Sequence, residues 1–288
     1  MSRRFPITGA LGGGLILLLT ACTSAAPTES PAPSEAVGDL RPVTSVAVVG
    51  DSISVGMSAC GTRDACPSAS WAFGDDTAVD SIVQRIAAAT GTDEITPLSL
   101  ARPGARVADR VDAVQNARGQ TADLVLVEVG SNDVCASDVS QITPVGEFGA
   151  SYRELLETIR AGVPEAPIVA YSIPDLLQLW EGGRSDPATV RLWNQSPSCS
   201  TLLGDADSDA AADVQRREDV VDTLAGYNAA IVEACAAVTG CVSDDGAVSQ
   251  VAFSPDDISE VDRFHPSLAG QAALAAAAWP AAQKALTE

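Results

Sequence analysis

The chain holds a single histidine, His265, in 288 residues, and that scarcity excludes a good deal. A structural zinc site needs several cysteine or histidine ligands at short, repeated spacing, and none of the seven cysteines falls in such a pattern. Basic residues are also few, with 17 Lys and Arg against 38 Asp and Glu and a formal charge of -21. A surface of that sign repels nucleic acid and anionic headgroups, and it equally serves solubility. Long apolar runs are missing as well. The stretch Ile7 to Ala21 falls short of the roughly 20 residues that a spanning helix needs. No internal repeat occurs. What remains is 46% hydrophobic content in a length that suits one domain with one large core.

Met1 to Pro6 carries Arg3 and Arg4 ahead of the apolar stretch, the pattern of an export signal over residues 1–21. Its end, Leu19-Thr20-Ala21-Cys22, resembles the lipobox of bacterial lipoproteins. That resemblance implies cleavage before Cys22, lipidation of its thiol, and anchoring at the outer face of a bacterial membrane. A membrane is then a partner only through the lipid. Loss of the two arginines leaves 15 basic against 38 acidic residues. Setting Cys22 aside leaves six cysteines, and in an exported chain six suggest three disulfides, for which fifteen connectivities exist. Pairing neighbours in order gives Cys60 with Cys66, Cys135 with Cys199, and Cys235 with Cys241.

Residues 22–42 are mostly Ala, Pro, Ser, Thr and Glu, too poor in large apolar side chains to order themselves, and read as a tether. From residue 43 to 288, short β-rich runs alternate with amphipathic segments, the pattern of a parallel sheet flanked by helices. Strands are expected at Ser45 to Val49, Ile95 to Leu100, Leu124 to Val129 and Ile168 to Ser172, with a weaker fifth at Val248 to Phe253. Helices are expected at Val79 to Ala89, Val107 to Ala117, Phe148 to Ala161, Ala211 to Val238 and Ser267 to Leu286, and another is expected to begin at Ile53. Between Trp180 and Ala210 the pattern breaks, which predicts a long functional or mobile connection. Within it, Asp205-x-Asp207-x-Asp209 opens like a calcium loop, but Ala210 and Arg216 stand where glycine and a bidentate glutamate are needed.

In an open parallel sheet the residues just beyond each strand meet in one crevice. Strand one ends at Gly50-Asp51-Ser52, strand two runs into Gly104, strand three into Gly130-Ser131-Asn132-Asp133, and Asp262-Arg263-Phe264-His265 precedes the last helix. Taken singly, each block also reads as a helix cap or a turn. Together they supply a serine nucleophile at Ser52, its base at His265, and a carboxylate at Asp262 to orient the imidazole. The N-H groups of Ser52 and Gly104 and the Asn132 side chain would stabilise an oxyanion. The four blocks resemble those of the SGNH, or GDSL, hydrolase superfamily of esterases and lipases. The first block departs only in Ile53, where leucine is usual. The resemblance implies a flavodoxin-like three-layer α/β/α sandwich around a mostly parallel five-stranded sheet, with no metal or organic cofactor. Around Ser52 the Gly-x-Ser-x-Gly elbow is absent, because Ser54 stands at its second glycine.

Three readings follow. The leading one is a lipid-anchored serine hydrolase of acyl esters. The second removes or transfers O-acetyl groups on cell-envelope polysaccharide, which an acidic, aromatic-poor surface does not exclude. The third is a non-catalytic envelope binding protein, disfavoured because every catalytic block is intact. No nucleic acid and no obligate protein partner is implied. Leu176, Leu177, Leu179, Trp180 and Trp193 either line an acyl pocket or pack into the core, and a Cys135 to Cys199 bridge would pin the insert beside Asn132.

Overall fold

A computed structural model describes residues 40–92, 94–117 and 121–287. The expected signal segment, Cys22 and the tether as far as residue 39 lie outside these residues. Five strands form one sheet: β1 Ser45–Gly50, β2 Thr96–Ser99, β3 Leu124–Glu128, β4 Ile168–Ala170 and β5 Cys241–Ser243. Every pairing is parallel, in the order β2-β1-β3-β4-β5. That is the flavodoxin-like order, whose crossovers diverge on either side of β1 and open a crevice at the carboxyl ends of β1 and β3.

The described helices are α1 Ile82–Thr90, α2 Val107–Asn116, α3 Ser131–Val134, α4 Val145–Gly162, α5 Leu177–Gly183, α6 Pro187–Asn194, α7 Ser200–Leu203, α8 Ala211–Ala236 and α9 Leu268–Thr287. The two-residue period of each strand divides its side chains between two cores. Ala47, Val49, Val125, Val127 and Ile168 join Val111, Phe148, Leu155, Val220 and Tyr227 from α2, α4 and α8. Val46, Val48, Leu124, Leu126 and Val169 join Ile82, Ile86, Leu274 and Ala278 from α1 and α9. The result is the expected three-layer sandwich. Its sheet is buried on both faces, which is why β1 and β3 read as unbroken apolar runs.

All three expected disulfides form: Cys60–Cys66, Cys135–Cys199 and Cys235–Cys241. Such bridges belong to an oxidising, exported environment. None of the described helices is long and apolar enough to cross a membrane.

Three expectations are corrected. The fifth strand is Cys241–Ser243 rather than Val248 to Phe253. The last strand needs only three residues to pair with β4, and Val248, Val251 and Phe253 instead pack from a following loop. No helix begins at Ile53: residues 52–60 form successive turns, because Gly56 and Ser58 take left-handed backbone angles (φ 62° and 60°) that an α-helix does not contain. The connection from 180 to 210 is also more ordered than its composition suggests, since α5, α6 and α7 occupy much of it.

Candidate active site

Ser52 follows β1 at the crevice, and its placement begins with Gly50. A Cβ at Gly50 would collide with the Ser54 side chain and the Glu128 carbonyl, so only glycine lets the chain turn here. Asp51, fully buried, then stabilises the turn by accepting a hydrogen bond from Ile53 N-H through Oδ1 (2.9 Å). Ser52 emerges 8% exposed. Without a helix at Ile53, no helix dipole lies beneath Ser52. The turns that replace it are tied down by Cys66 N-H, which donates to Val55 O and Gly56 O (3.1 and 3.2 Å).

The loop before α9 carries the candidate base. His265 Nδ1 lies 2.7 Å from Asp262 Oδ2, and Asp262 Oδ1 accepts from the backbone N-H groups of Phe264 and His265 (3.0 and 3.1 Å). A fourth donor was not foreseen from the sequence: Ser58 Oγ reaches Asp262 Oδ2 at 2.6 Å. Ser58 is itself fixed by its carbonyl, which accepts from Ser259 Oγ (2.7 Å). Burial pushes the Asp262 carboxyl upward, but the His265 and Ser58 bonds and the His265 charge outweigh it and hold the group below the ordinary carboxylate range. Asp262 therefore stays ionised and tied to Nδ1, which leaves Nε2 as the ring nitrogen open to a substrate-side partner.

The oxyanion candidates gather on the opposite wall. Gly104 takes φ +73° in the loop after β2, with open space around its α-carbon. Among the described residues, neither its N-H nor that of Ser52 has a protein acceptor. Asn132, in α3, directs Nδ2 to Asp51 Oδ2 (3.2 Å) and Ala105 O (3.1 Å). Next to it, buried Asp133 accepts from Val107 N-H (3.0 Å) and Thr143 Oγ1 (2.9 Å), which fastens the Asn132 turn to the start of α2. Burial first of all raises Asp51 to about 6, with the Asp133 charge acting the same way, while the Ile53 bond and the His265 charge oppose it.

Ser52, Asn132, Cys135, Phe264 and His265 line two cavities at once. One, of about 350 Å³, is bounded by polar groups including Ser58, Arg63, Ser196 and Ser198, with Gly104 and Trp193 in its wall. The other, of about 50 Å³, is apolar and backed by Leu176, Leu179, Phe253 and Ile258. Of the insert's hydrophobic residues, Leu176, Leu179 and Trp193 thus border the site. Trp180 does not: its Nε1 donates to Ala206 O (2.9 Å), and the guanidinium groups of Arg184 and Arg217 lie 4.2 and 4.5 Å from its ring centre. The Cys135–Cys199 bridge joins the segment after Asn132 to the start of α7.

A doubly wound parallel sheet that brings a serine, a histidine-carboxylate pair and unpaired backbone donors around one crevice has the arrangement of an α/β hydrolytic enzyme. A GDSL-like lipase/acylhydrolase family model matches residues 48–273, and the chain belongs to that family. Its fold is similar to that of an α/β hydrolase enzyme from the metagenome of Lake Arreo, Spain, at 18% identity, with 85% of this chain and 97% of that one covered and a TM-score of 0.52. It is also similar to that of an acetylxylan esterase from Geobacillus stearothermophilus, at 19% identity, with 83% and 94% covered and a TM-score of 0.50. No curated protein matches the chain.

Proposed function

We propose that this hydrolase is a serine carboxylic-ester hydrolase working through an acyl-enzyme on Ser52. The observation that carries the reading is the 2.7 Å Asp262–His265 pair on the same cavity as Ser52. In the first step Ser52 Oγ attacks the acyl carbon while His265 Nε2 takes its proton. The ester C-O bond then breaks, and the alcohol leaves with that proton. In the second step His265 takes a proton from water, whose oxygen attacks the acyl carbon, and Ser52 departs reprotonated.

During each step the carbonyl oxygen becomes an oxyanion. The free N-H groups of Ser52 and Gly104 are ready donors, and Asn132 Nδ2, which bonds Asp51 Oδ2 and Ala105 O at 3.2 and 3.1 Å, would redirect one of its two hydrogens to the oxyanion. We further propose that the protein is exported and held at the outer membrane face by lipid on Cys22, a reading supported by the three disulfides and the lipobox-like sequence. The catalytic reading is tested with p-nitrophenyl acetate and butyrate. Turnover by the wild type should fall to background in Ser52→Ala and in His265→Ala, and equal rates in wild type and Ser52→Ala would refute it. A second reading, deacetylation of a polysaccharide, is favoured by the size of the larger cavity and the hydroxyl and guanidinium groups of Ser58, Arg63, Ser196 and Ser198 in its wall, beside a small apolar cavity. Release of acetate from an acetylated polysaccharide by wild type but not by Ser52→Ala would establish it.

A further inference from the structure

We infer that Leu179, Phe253 and Ile258 form a partition behind the nucleophile that closes the acyl pocket and sets the longest acyl group the enzyme accepts. The inference rests on the esterase reading above and extends it to the substrate class.

Ser52 opens onto two cavities that differ in size and in polarity, so an ester bound across it has its two halves sorted by both. The larger cavity, of about 350 Å³ and lined by both polar and apolar groups, suits the alcohol, and the apolar one of about 50 Å³ suits the acyl chain. The smaller cavity has room for about four water-sized groups, which corresponds to an acyl chain of about two to four carbons. Its back wall is not the end of the free space. A second cavity of about 190 Å³ lies beyond, bordered by Gly182, Gly183, Thr189 and Trp193. Leu179, Phe253 and Ile258 line both cavities and stand between them.

Two fastenings hold the partition. Gln178 clamps α5 to the loop that carries Phe253: its Nε2 donates to Val251 O and its Oε1 accepts from Phe253 N-H, both at 2.9 Å. Ile258 pairs with Pro266 in an isolated antiparallel bridge, immediately after His265. The wall therefore shares its supports with the catalytic loop and does not swing aside as a flap would. A short acyl group fills the pocket, whereas a longer one must displace a packed side chain.

The experiment uses the full chain and p-nitrophenyl acetate, butyrate, octanoate and dodecanoate, with Leu179→Ala to open the wall and Ile258→Val as a milder variant should the first fail to fold. The wild type should favour acetate or butyrate over octanoate by at least about tenfold in kcat/KM, since one or two misplaced methylenes are worth that much. Leu179→Ala should raise the octanoate-to-butyrate ratio about tenfold or more, and Ile258→Val should move it the same way by less. A wild type that prefers octanoate or dodecanoate, or a ratio unmoved in both folded variants, overturns the partition while leaving the esterase intact. Failure of every ester to exceed the Ser52→Ala background removes both readings.

Discussion

Ser58→Ala removes one hydroxyl from the support of Asp262 and leaves the backbone otherwise as it was, since alanine and serine meet the same strain at φ 60°. The lost bond is short, 2.6 Å, and ends on a carboxylate that stays charged. Hydrogen bonds to charged groups contribute about 1.5–3 kcal/mol, and because the Asp262 side chain keeps 18% of its surface exposed the lower end applies, about 1.5–2 kcal/mol. The pH dependence distinguishes this from a simple packing defect. A carboxyl whose native value is depressed adds stability that is fully present above its unfolded value and disappears as pH falls through the native one. Ser58→Ala lets the native value rise toward the ordinary one, so the variant has less of this stability to lose. At pH 7 the variant should unfold about 1.5–2 kcal/mol more easily, and at an acid pH below the ordinary carboxylate range the gap should be smaller, falling toward the value of a neutral bond, about 1 kcal/mol or less. Urea titrations followed by tryptophan fluorescence, with disulfides intact, read both numbers. Loosened orientation of His265 should also lower kcat/KM by about tenfold, or 1.4 kcal/mol. Equal gaps at the two pH values, or none at pH 7, would refute the claim that Ser58 acts through the Asp262 charge.

Asn132→Ala should lower kcat by about 10²–10³ with little change in KM, as expected for a donor used mainly in the transition state, and steady-state kinetics on butyrate would show it. Replacing Cys135 and Cys199 together by serine frees a crosslink of sequence separation 64. Loop entropy then predicts a loss of about 4 kcal/mol against about 2 kcal/mol for either short bridge, read from urea midpoints. Asp51, raised to about 6 chiefly by burial, contributes stability that is present below its unfolded value and lost as pH rises through 6. Asp51→Asn should therefore flatten the decline in stability between about pH 4 and 6, and an unchanged slope in thermal or urea unfolding would show that Asp51 does not ionise in that range.

The fold was legible where burial on both faces leaves a mark in composition. Val46 to Val49 and Leu124 to Val127 are apolar without interruption because helices cover both sides of β1 and β3. β5 left no such mark: three residues, Cys241 to Ser243, cannot display a period, and the more apolar Val248 to Phe253 drew the assignment away from it. The insert misled for a related reason. α5, α6 and α7 have seven, eight and four residues, and a helix so short is held by its contacts rather than by its own pattern. Trp193 Nε1 bonds Arg263 O (2.9 Å) and Arg216 bonds Gly204 O, Ser200 O and Thr201 O, contacts that no local window contains.

The site divides along the same line. Ser52, Gly104, Asn132 and the Asp262–His265 pair could be expected to meet because each follows a strand or precedes a helix at the sheet's carboxyl edge, where topology alone decides who meets whom, and all five line one cavity. Ser58 could not, since it lies 204 residues from Asp262 in sequence and sits in a stretch whose pattern suggested a helix. Had that helix formed, its backbone would have taken the right-handed angles that Ser58 avoids, and the hydroxyl would not have been presented from the same conformation. The break at Gly56 and Ser58 thus leaves no helix dipole beneath Ser52 and supplies a direct donor to the Asp262 carboxylate behind His265. The turn places its electrostatic support on Asp262, through one short hydrogen bond, and the pH-dependent gap in Ser58→Ala measures it.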